Sequence, residues 1–342
     1  MSPEPSLGLT AFRVALPLRE PHVAAHGVET VRDVILVRAR RPDGIDGWGE
    51  CPTLSGPGYS AETTEVAWRS LTGHGTARGP MASGAVADAQ LDASLRARGE
   101  SLASFLGATR ATVPMTRVVS LGREPDAGLV ATCVAVKFKV DPATIGRLRG
   151  VRDRHPGLVV MADANGSFGT ADEVPAWIDE LGLALLEQPL AAGDLAGHAA
   201  LRGRLATPIA LDESIGSPSA LRMAIEAGAL DVVSVKPARV GGVSAARACL
   251  DLAARAGLGA FVGGMLETGI GRAGAVALAA TPGCTLPTDL GPSARYFDRD
   301  LCAPILVDAD GGLAVPGGPG IGRVPDMELL AAWCTAEAPV TA

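Results

Sequence analysis

The sequence predicts an α/β protein, a modified (β/α) barrel capped by an α+β domain. Three observations lead there. From residue 113 onward short apolar runs alternate with helical segments; eight such runs can be counted; and five of them end in a charge, Lys139, Asp163, Glu187, Asp212 and Lys236, at gaps of 24, 24, 25 and 24 residues. Alternating βα units build parallel sheets with right-handed crossovers. Eight units can close into a TIM barrel, which keeps its chemistry at the carboxyl ends of the strands.

The first 112 residues have another rhythm. Phe12–Leu18 and Val31–Arg40 read as strands by their β-branched, partly alternating pattern, with a loop over Pro21–Gly27 between them. Asp43, Gly44, Ile45, Asp46 and Gly47 form a turn cluster, after which Trp48–Cys51 resumes extended structure. A Ser-, Gly- and Pro-rich loop spans Leu54–Tyr59. Helical spacing then covers Ala61–Leu71, opened by Ser60 as N-cap, and Ala85–Arg98. This is the α+β capping domain, residues 1–112.

The barrel is expected over residues 113–310. Its strands are Val113–Ser120, Val134–Val140, Leu158–Asp163, Leu183–Glu187, Pro208–Asp212, Asp231–Lys236, Gly259–Gly263 and, weakly, Cys284–Pro287. Helices fill the gaps: Ala143–Arg154, Thr170–Leu181, Asp194–Leu205, Ser217–Ala227, Val243–Ala256 and Ile270–Ala280. Beyond residue 310 the Pro- and Gly-rich stretch Gly311–Gly322 leads to an apolar segment that folds back to complete the cap, residues 311–342.

An open doubly wound sheet would also alternate β and α. In such a sheet five consecutive strand ends would spread over ~19 Å and could not share a small ligand. Closure brings them round one mouth, which favours the barrel.

Asp163, Glu187 and Asp212 end strands three, four and five. Adjacent strands lie ~4.8 Å apart, so three carboxylates can converge on one cation. One acid at a strand end is commonly a helix N-cap; three in consecutive units point to metal. With hard oxygen donors and no His or Cys beside them, Mg²⁺ is selected over zinc, with Mn²⁺ as a substitute. Lys139 ends strand two and Lys236 strand six, so the two amines should face each other across the ligand. Lys137 shares the face of Lys139 by strand alternation, and its charge should lower the pKa of Lys139. A divalent cation flanked by lysines suits proton removal beside a substrate carboxylate, with the metal stabilising the enediolate. Asn165 and Glu213 are read as groups that orient ligands or cap helices. The glycine-rich run from Gly263 to Arg272, including Gly264, Met265, Leu266 and Glu267, offers backbone and a helix amino end to a second substrate carboxylate.

Composition limits the alternatives. A net charge of −7 with no basic block excludes a nucleic-acid footprint. No apolar stretch reaches the ~18 residues a membrane helix needs. Six cysteines without ligand spacing read as reduced, and the amino terminus lacks a signal-peptide pattern, so the expectation is a cytoplasmic protein. The five histidines have no ligand spacing; His22 and His26 lie in the first-domain loop. No GxSxG elbow or nucleotide P-loop is present. Nothing in the sequence specifies an oligomer.

Seven motifs carry a resemblance over nearly the whole chain. They are Asp-Gly-x-x-Gly-Trp-Gly-Glu-Cys at 43–51, Lys-Phe-Lys at 137–139, Asp-Ala-Asn at 163–165, Glu-Gln-Pro at 187–189, Leu-Asp-Glu-Ser at 211–214, Lys-Pro at 236–237, and Gly-Gly-Met-Leu-Glu-Thr-Gly-Ile-Gly-Arg at 263–272. With them the chain resembles the enolase superfamily, in its muconate-lactonizing-enzyme-like subgroup. The last motif points to the branch of o-succinylbenzoate synthases and N-succinylamino acid racemases. The resemblance implies Mg²⁺ on Asp163, Glu187 and Asp212 and Lys139 as base. Lys236 would be a second acid/base in a racemase, or a fixed charge in a synthase. It also implies first-domain loops, Pro21–Gly27 and Leu54–Tyr59, that close over the substrate, a small carboxylate. The expected activity is dehydration of a succinyl-bearing cyclohexadiene carboxylate for menaquinone synthesis; racemase, dipeptide epimerase and a non-catalytic metabolite-binding barrel are the alternatives. Many relatives follow Gly-Ile-Gly-Arg-Ala with His-Asn, where this chain has Gly274 and Ala275.

Overall fold

The structure is a computed structural model and describes residues 7–24, 27–75, 77–119 and 135–341. The first domain opens with a long hairpin, β1 (Gly8–Ala24) and β2 (Gly27–Arg40), followed by β3 (Asp46–Cys51). Three helices follow: α1 (Thr64–Leu71), α2 (Pro80–Ala97) and α3 (Leu102–Leu106). Next come β4 (Thr112–Val113), β5 (Thr116–Val119), β6 (Ala135–Lys139), α4 (Leu148–Arg154), β7 (Val159–Asp163) and β8 (Leu185–Glu187). The chain continues through α5 (Leu195–Arg204), β9 (Ile209–Leu211), α6 (Pro218–Glu226), β10 (Val232–Val235), α7 (Pro237–Val240), α8 (Val243–Arg255), β11 (Gly259–Val262) and α9 (Gly269–Ala279). It ends with β12 (Leu313–Ala314), α10 (Met327–Trp333) and β13 (Cys334–Pro339).

Two sheets organise this chain. The capping sheet has the order β13-β1-β2-β3, so the last strand returns to pair with the first, Phe12 opposite Glu337. The barrel sheet runs β11-β10-β9-β8-β7-β6-β5, all parallel. Its strands are buried on both faces, as parallel strands under helices must be, and Val160, Leu185, Leu186, Ile209 and Val233 are at most 1% exposed.

Several sequence expectations are corrected. The eighth strand is not a ladder: Met115 bridges Thr288 on one side, while the amides of Thr285 and Leu286 both reach the carbonyl of Ala260 on the other. Pro287 has no N–H to extend the pairing, so irregular chain spans the gap between β11 and β5. The expected first strand divides around Pro114 into β4, which pairs with β12, and β5. Ser120 and Val134, at the ends of two expected strands, lie outside the described residues, as does Cys133.

The helix expected over Thr170–Leu181 is two 3₁₀ segments, Ala171–Glu173 and Ala176–Leu181. Pro175 causes this by holding Val174 extended at φ −77°, ψ 111°. The loop expected over Pro21–Gly27 is mostly strand, with Val23 opposite Val28; residues 25 and 26, and the side chain of His22, lie outside the description. Helix α1 starts at Thr64 under an N-cap from Thr63, while Ser60 takes the amide of Glu62 instead. The helices expected from Asp194 and Ser217 begin there, with those two residues as the N-caps of α5 and α6. The described cysteines, Cys51, Cys249, Cys284, Cys302 and Cys334, are free thiols. Among the described residues no helix is long and apolar enough to cross a membrane.

Candidate active site

Strand register levels the charges. In the barrel sheet Lys139 pairs with Asp163 and Asp163 with Glu187, while Glu187 stands opposite Ala210, two residues before Asp212. Val232 in turn pairs with Ala210, two and four residues before Ser234 and Lys236. Side chains two apart share a face, so Lys137, Lys139, Asp163, Glu187, Asp212 and Lys236 all point to the same side of the sheet.

There they form a ring of ion pairs. Lys139 Nζ donates to Asp163 Oδ2 at 2.6 Å and to Asn165 Oδ1 at 2.7 Å. Lys137 Nζ donates to Glu187 Oε2 at 2.7 Å and Asp289 Oδ2 at 2.5 Å, with Asp163 at 3.8 Å. Lys236 Nζ meets Asp212 Oδ2 at 2.8 Å, and Arg239 takes the other oxygen at 2.6 Å. Tyr59, from the first-domain loop, accepts from Lys236 at 3.2 Å and from Arg239 at 2.5 Å, its ring 5.3 Å from the ammonium. Asn165 Nδ2 completes the link by donating to Glu213 Oε1 at 2.8 Å.

Burial of so many charges sets their acidities. Burial pushes the Glu187 carboxyl upward and the charge of Asp163 adds to this, against Lys137. Asp212 is also buried, yet Arg239 and Lys236 hold it well below the usual carboxylate range. Burial pushes the Lys139 ammonium down, and Lys137 and Lys236 push the same way, as expected for Lys137; Asp163 outweighs them and the balance is upward.

Among the described residues no three of His, Cys, Asp and Glu stand within reach of one shared ion; each carboxylate of the ring rests on a lysine or arginine. The donor chemistry nevertheless fits a hard divalent cation. The three carboxylates are at most 1% exposed, and they repel one another. Two further buried carboxylate oxygens beside them, Glu213 Oε2 and Asp289 Oδ1, have no hydrogen-bond partner. Leaving a buried carboxylate oxygen without a partner is costly, and a hard divalent cation offsets it.

Three non-glycine residues among those described have positive φ: Asn165 at 44°, Gln188 at 39° and Leu266 at 56°. Each lies within four residues of the carboxyl end of a barrel strand, β7, β8 or β11, where strain accompanies function. Gln188 spans two of these ends: its Oε1 accepts from the amides of Asp212 and Ser214 at 3.0 and 3.2 Å. Gly263 is glycine because a Cβ there would stand 3.2 Å from Cγ and Cε of Lys236, which lies across it.

The glycine-rich run after β11 departs from expectation. The amide ends of α9 are taken by the chain's own carboxylates: Glu50 Oε1 by Thr268 N at 2.9 Å, Glu50 Oε2 by Gly271 N at 2.8 Å, and Asp300 by Gly269 N at 3.0 Å. Glu267 folds back on Met265 N at 2.7 Å, and Met265 packs in the core of the first domain. An anion arriving at this helix end would have to displace those groups. Gly274 lets α9 approach α8, since a Cβ would sit 3.1 Å from Val243.

Buried Glu50 supplies a stability prediction. Burial pushes its carboxyl up to about 7 from 4.5, against bonds from Thr268 and Gly271. The folded chain therefore holds that proton at a pH where the unfolded chain has lost it. Stability is full below the unfolded pKa and declines as pH rises toward the folded one, by about 3 kcal/mol at most. Asp88, pushed up to about 7 by burial, acts in the same direction. Chemical denaturation of Glu50→Gln between pH 4.5 and pH 7 should show a shallower decline than the wild type; parallel profiles would refute the assignment.

Arg239 and Asp289 were not singled out in the sequence, and Gln188 and Tyr59 entered only as members of the Glu-Gln-Pro motif and the Leu54–Tyr59 loop, without a role of their own. Arg239 left a local signal as well, standing three residues after Lys236 at helical spacing.

A capped barrel whose mouth gathers three acids between lysines defines a class of protein as well as a fold. Residues 124–329 match the family described as enolase C-terminal domain-like. The chain belongs to the enolase superfamily. It is 38% identical over 366 aligned positions to an N-succinylamino acid racemase from Amycolatopsis sp, covering 96% of this chain and 98% of the other. It is 34% identical to an o-succinylbenzoate synthase from Geobacillus stearothermophilus, covering 92% of each. A solved structure described as a probable mandelate racemase from Alicyclobacillus acidocaldarius superposes with a TM-score of 0.89 at 33% identity, covering 98% of this chain and 99% of that one.

Proposed function

We propose that this chain is an o-succinylbenzoate synthase. It would dehydrate 2-succinyl-6-hydroxy-2,4-cyclohexadiene-1-carboxylate to 2-succinylbenzoate with Mg²⁺, as a cytoplasmic step toward menaquinone. The observation that carries this reading is the asymmetry of the two lysines. The side chain of Lys139 is 33% exposed and bonds Asp163 and Asn165 at the end of the neighbouring strand, whereas Lys236 is 13% exposed and held by Asp212 and by Tyr59 of the cap. One amine is open to substrate and the other is fixed, as a single-base syn-elimination requires.

Asp163, Glu187 and Asp212 would hold the Mg²⁺, whose charge would offset the negative charge that develops on the substrate carboxylate as its α-proton leaves. With Asp163 so engaged, burial, Lys137 and Lys236 all favour a neutral Lys139 amine. Lys139 Nζ takes the α-proton and returns it to the departing hydroxyl on the same face; the C–H and C–O bonds break, water leaves and the ring becomes aromatic. Lys236 stays an ammonium beside the developing charge. Asn165 aims Lys139, Glu213 holds Asn165, and Lys137 with Asp289 steadies Glu187. Gly264, Met265, Leu266 and Glu267 would form the wall facing the rest of the substrate. Residues 113–310 would act as the catalytic barrel, and residues 1–112 with 311–342 as its cap.

A second reading, N-succinylamino acid racemase, is favoured by the relative of that name at 38% identity and by two amines on one face of the barrel sheet. Purified protein should be assayed with Mg²⁺ for dehydration and for racemisation of N-succinyl amino acids. Dehydration is expected; racemisation alone would give the second reading priority, and neither activity would leave dipeptide epimerisation, to be assayed next, or a barrel that only binds its ligand.

A further inference from the structure

The glycine-rich run belongs to the barrel by position in the chain, yet the first domain holds it in shape. Arg32, on β2, is fully buried and directs its guanidinium at main-chain carbonyls. Nη1 donates to Thr53 at 2.7 Å, Nη2 to Pro52 at 2.5 Å and Met265 at 3.0 Å, and Nε to Leu266 at 3.2 Å. Two of these carbonyls open the loop that leads to Tyr59; the other two lie just after β11. The nearest carboxylate, Glu29, stands at 3.5 Å, so the carbonyls are the closer partners. Leu266 is one of the residues at positive φ, a conformation that needs support from its surroundings. Glu50 grips the same run from the other side, through the amides of Thr268 and Gly271.

We propose that Arg32 is a positioning residue that locks the Pro52–Tyr59 loop of the cap to the Met265–Leu266 loop of the barrel, so that both walls of the substrate site move as one. The inference rests on the reading of the barrel mouth as the active site. Only a planar fork of donors can serve two loops at once; a lysine ammonium in its place is a single point charge. The carboxylates and lysines of the ring are anchored on β6 to β10 without Arg32. Its loss should therefore appear in substrate binding more than in the chemical step.

Arg32→Met and Arg32→Lys in the full chain test this, assayed with Mg²⁺ against whichever of the two substrates the wild type turns over. For both variants KM should rise by about tenfold or more, while kcat falls by less than about threefold. Hydrogen exchange should quicken together over residues 52–59 and 263–268 and stay unchanged over β6 to β9. A folded variant with wild-type KM, or loops that loosen independently, would overturn the lock. Should neither variant fold, the wild type still decides: residues 263–268 exchanging as fast as exposed turns would overturn it, and protection matching the barrel strands would support it. A wild type inactive on both substrates sinks the functional reading alone, because exchange coupling between the loops needs no substrate.

Discussion

Replacing Lys139 with alanine should reduce turnover by about 10²–10⁴-fold, the usual contribution of a positioned base, while the fold persists. The proposed reaction has one proton to move, and Lys139 is the amine of the ring most open to substrate. Asp163 keeps Lys137 at 3.8 Å after the change, and bound Mg²⁺ would supply further positive charge, so the melting temperature measured with Mg²⁺ should move by only a few degrees. Steady-state rates, circular dichroism and deuterium uptake at the substrate α-carbon in D₂O report the three parts separately. Survival of α-proton exchange in a folded Lys139→Ala protein would mean that another group is the base.

Metal removal is the second large effect. Chelation with EDTA should abolish activity, and Mg²⁺ should restore it and raise the melting temperature. At a hundredfold excess over Kd, binding to the folded state adds about 2.7 kcal/mol, which is several degrees for a chain of this length. Asp212→Asn should lose both the activity and the thermal response. The substitution removes a ring charge on which Lys236 and Arg239 both close, at 2.8 and 2.6 Å. Full activity in EDTA would refute the proposed role of the three acids, and an Asp212→Asn protein with the wild-type thermal shift would remove Asp212 from the set.

The site was legible in unequal parts. Lys139, Asp163 and Glu187 could be read because parallel register turns even spacing along the chain into level neighbours across the sheet. The starts of α5 and α6 at Asp194 and Ser217 could be read because helical spacing is local, and the cap each residue makes reaches an amide only three residues away. Thr170–Leu181 misled because its apolar spacing is helical, while Pro175 denies a continuous α-helix. Cys284–Pro287 looked like a weak strand because its apolar content reports burial, which irregular chain shares when it fills a gap between strands.

The charges at the carboxyl ends of the strands, their order, and the capped barrel that gathers them were written in local patterns of period 2 and period 3.6. Those patterns record burial, which each residue carries by itself. The tertiary structure alone decided the partners: Tyr59 on Lys236 across 177 positions, Asp289 on Lys137 across 152, and Arg32 on Leu266 across 234. It also decided that Glu50 would occupy the helix end that the glycines seemed to leave for a ligand. A hydrogen bond is made wherever two distant loops are brought within about 3 Å, and no periodicity along either loop encodes that distance.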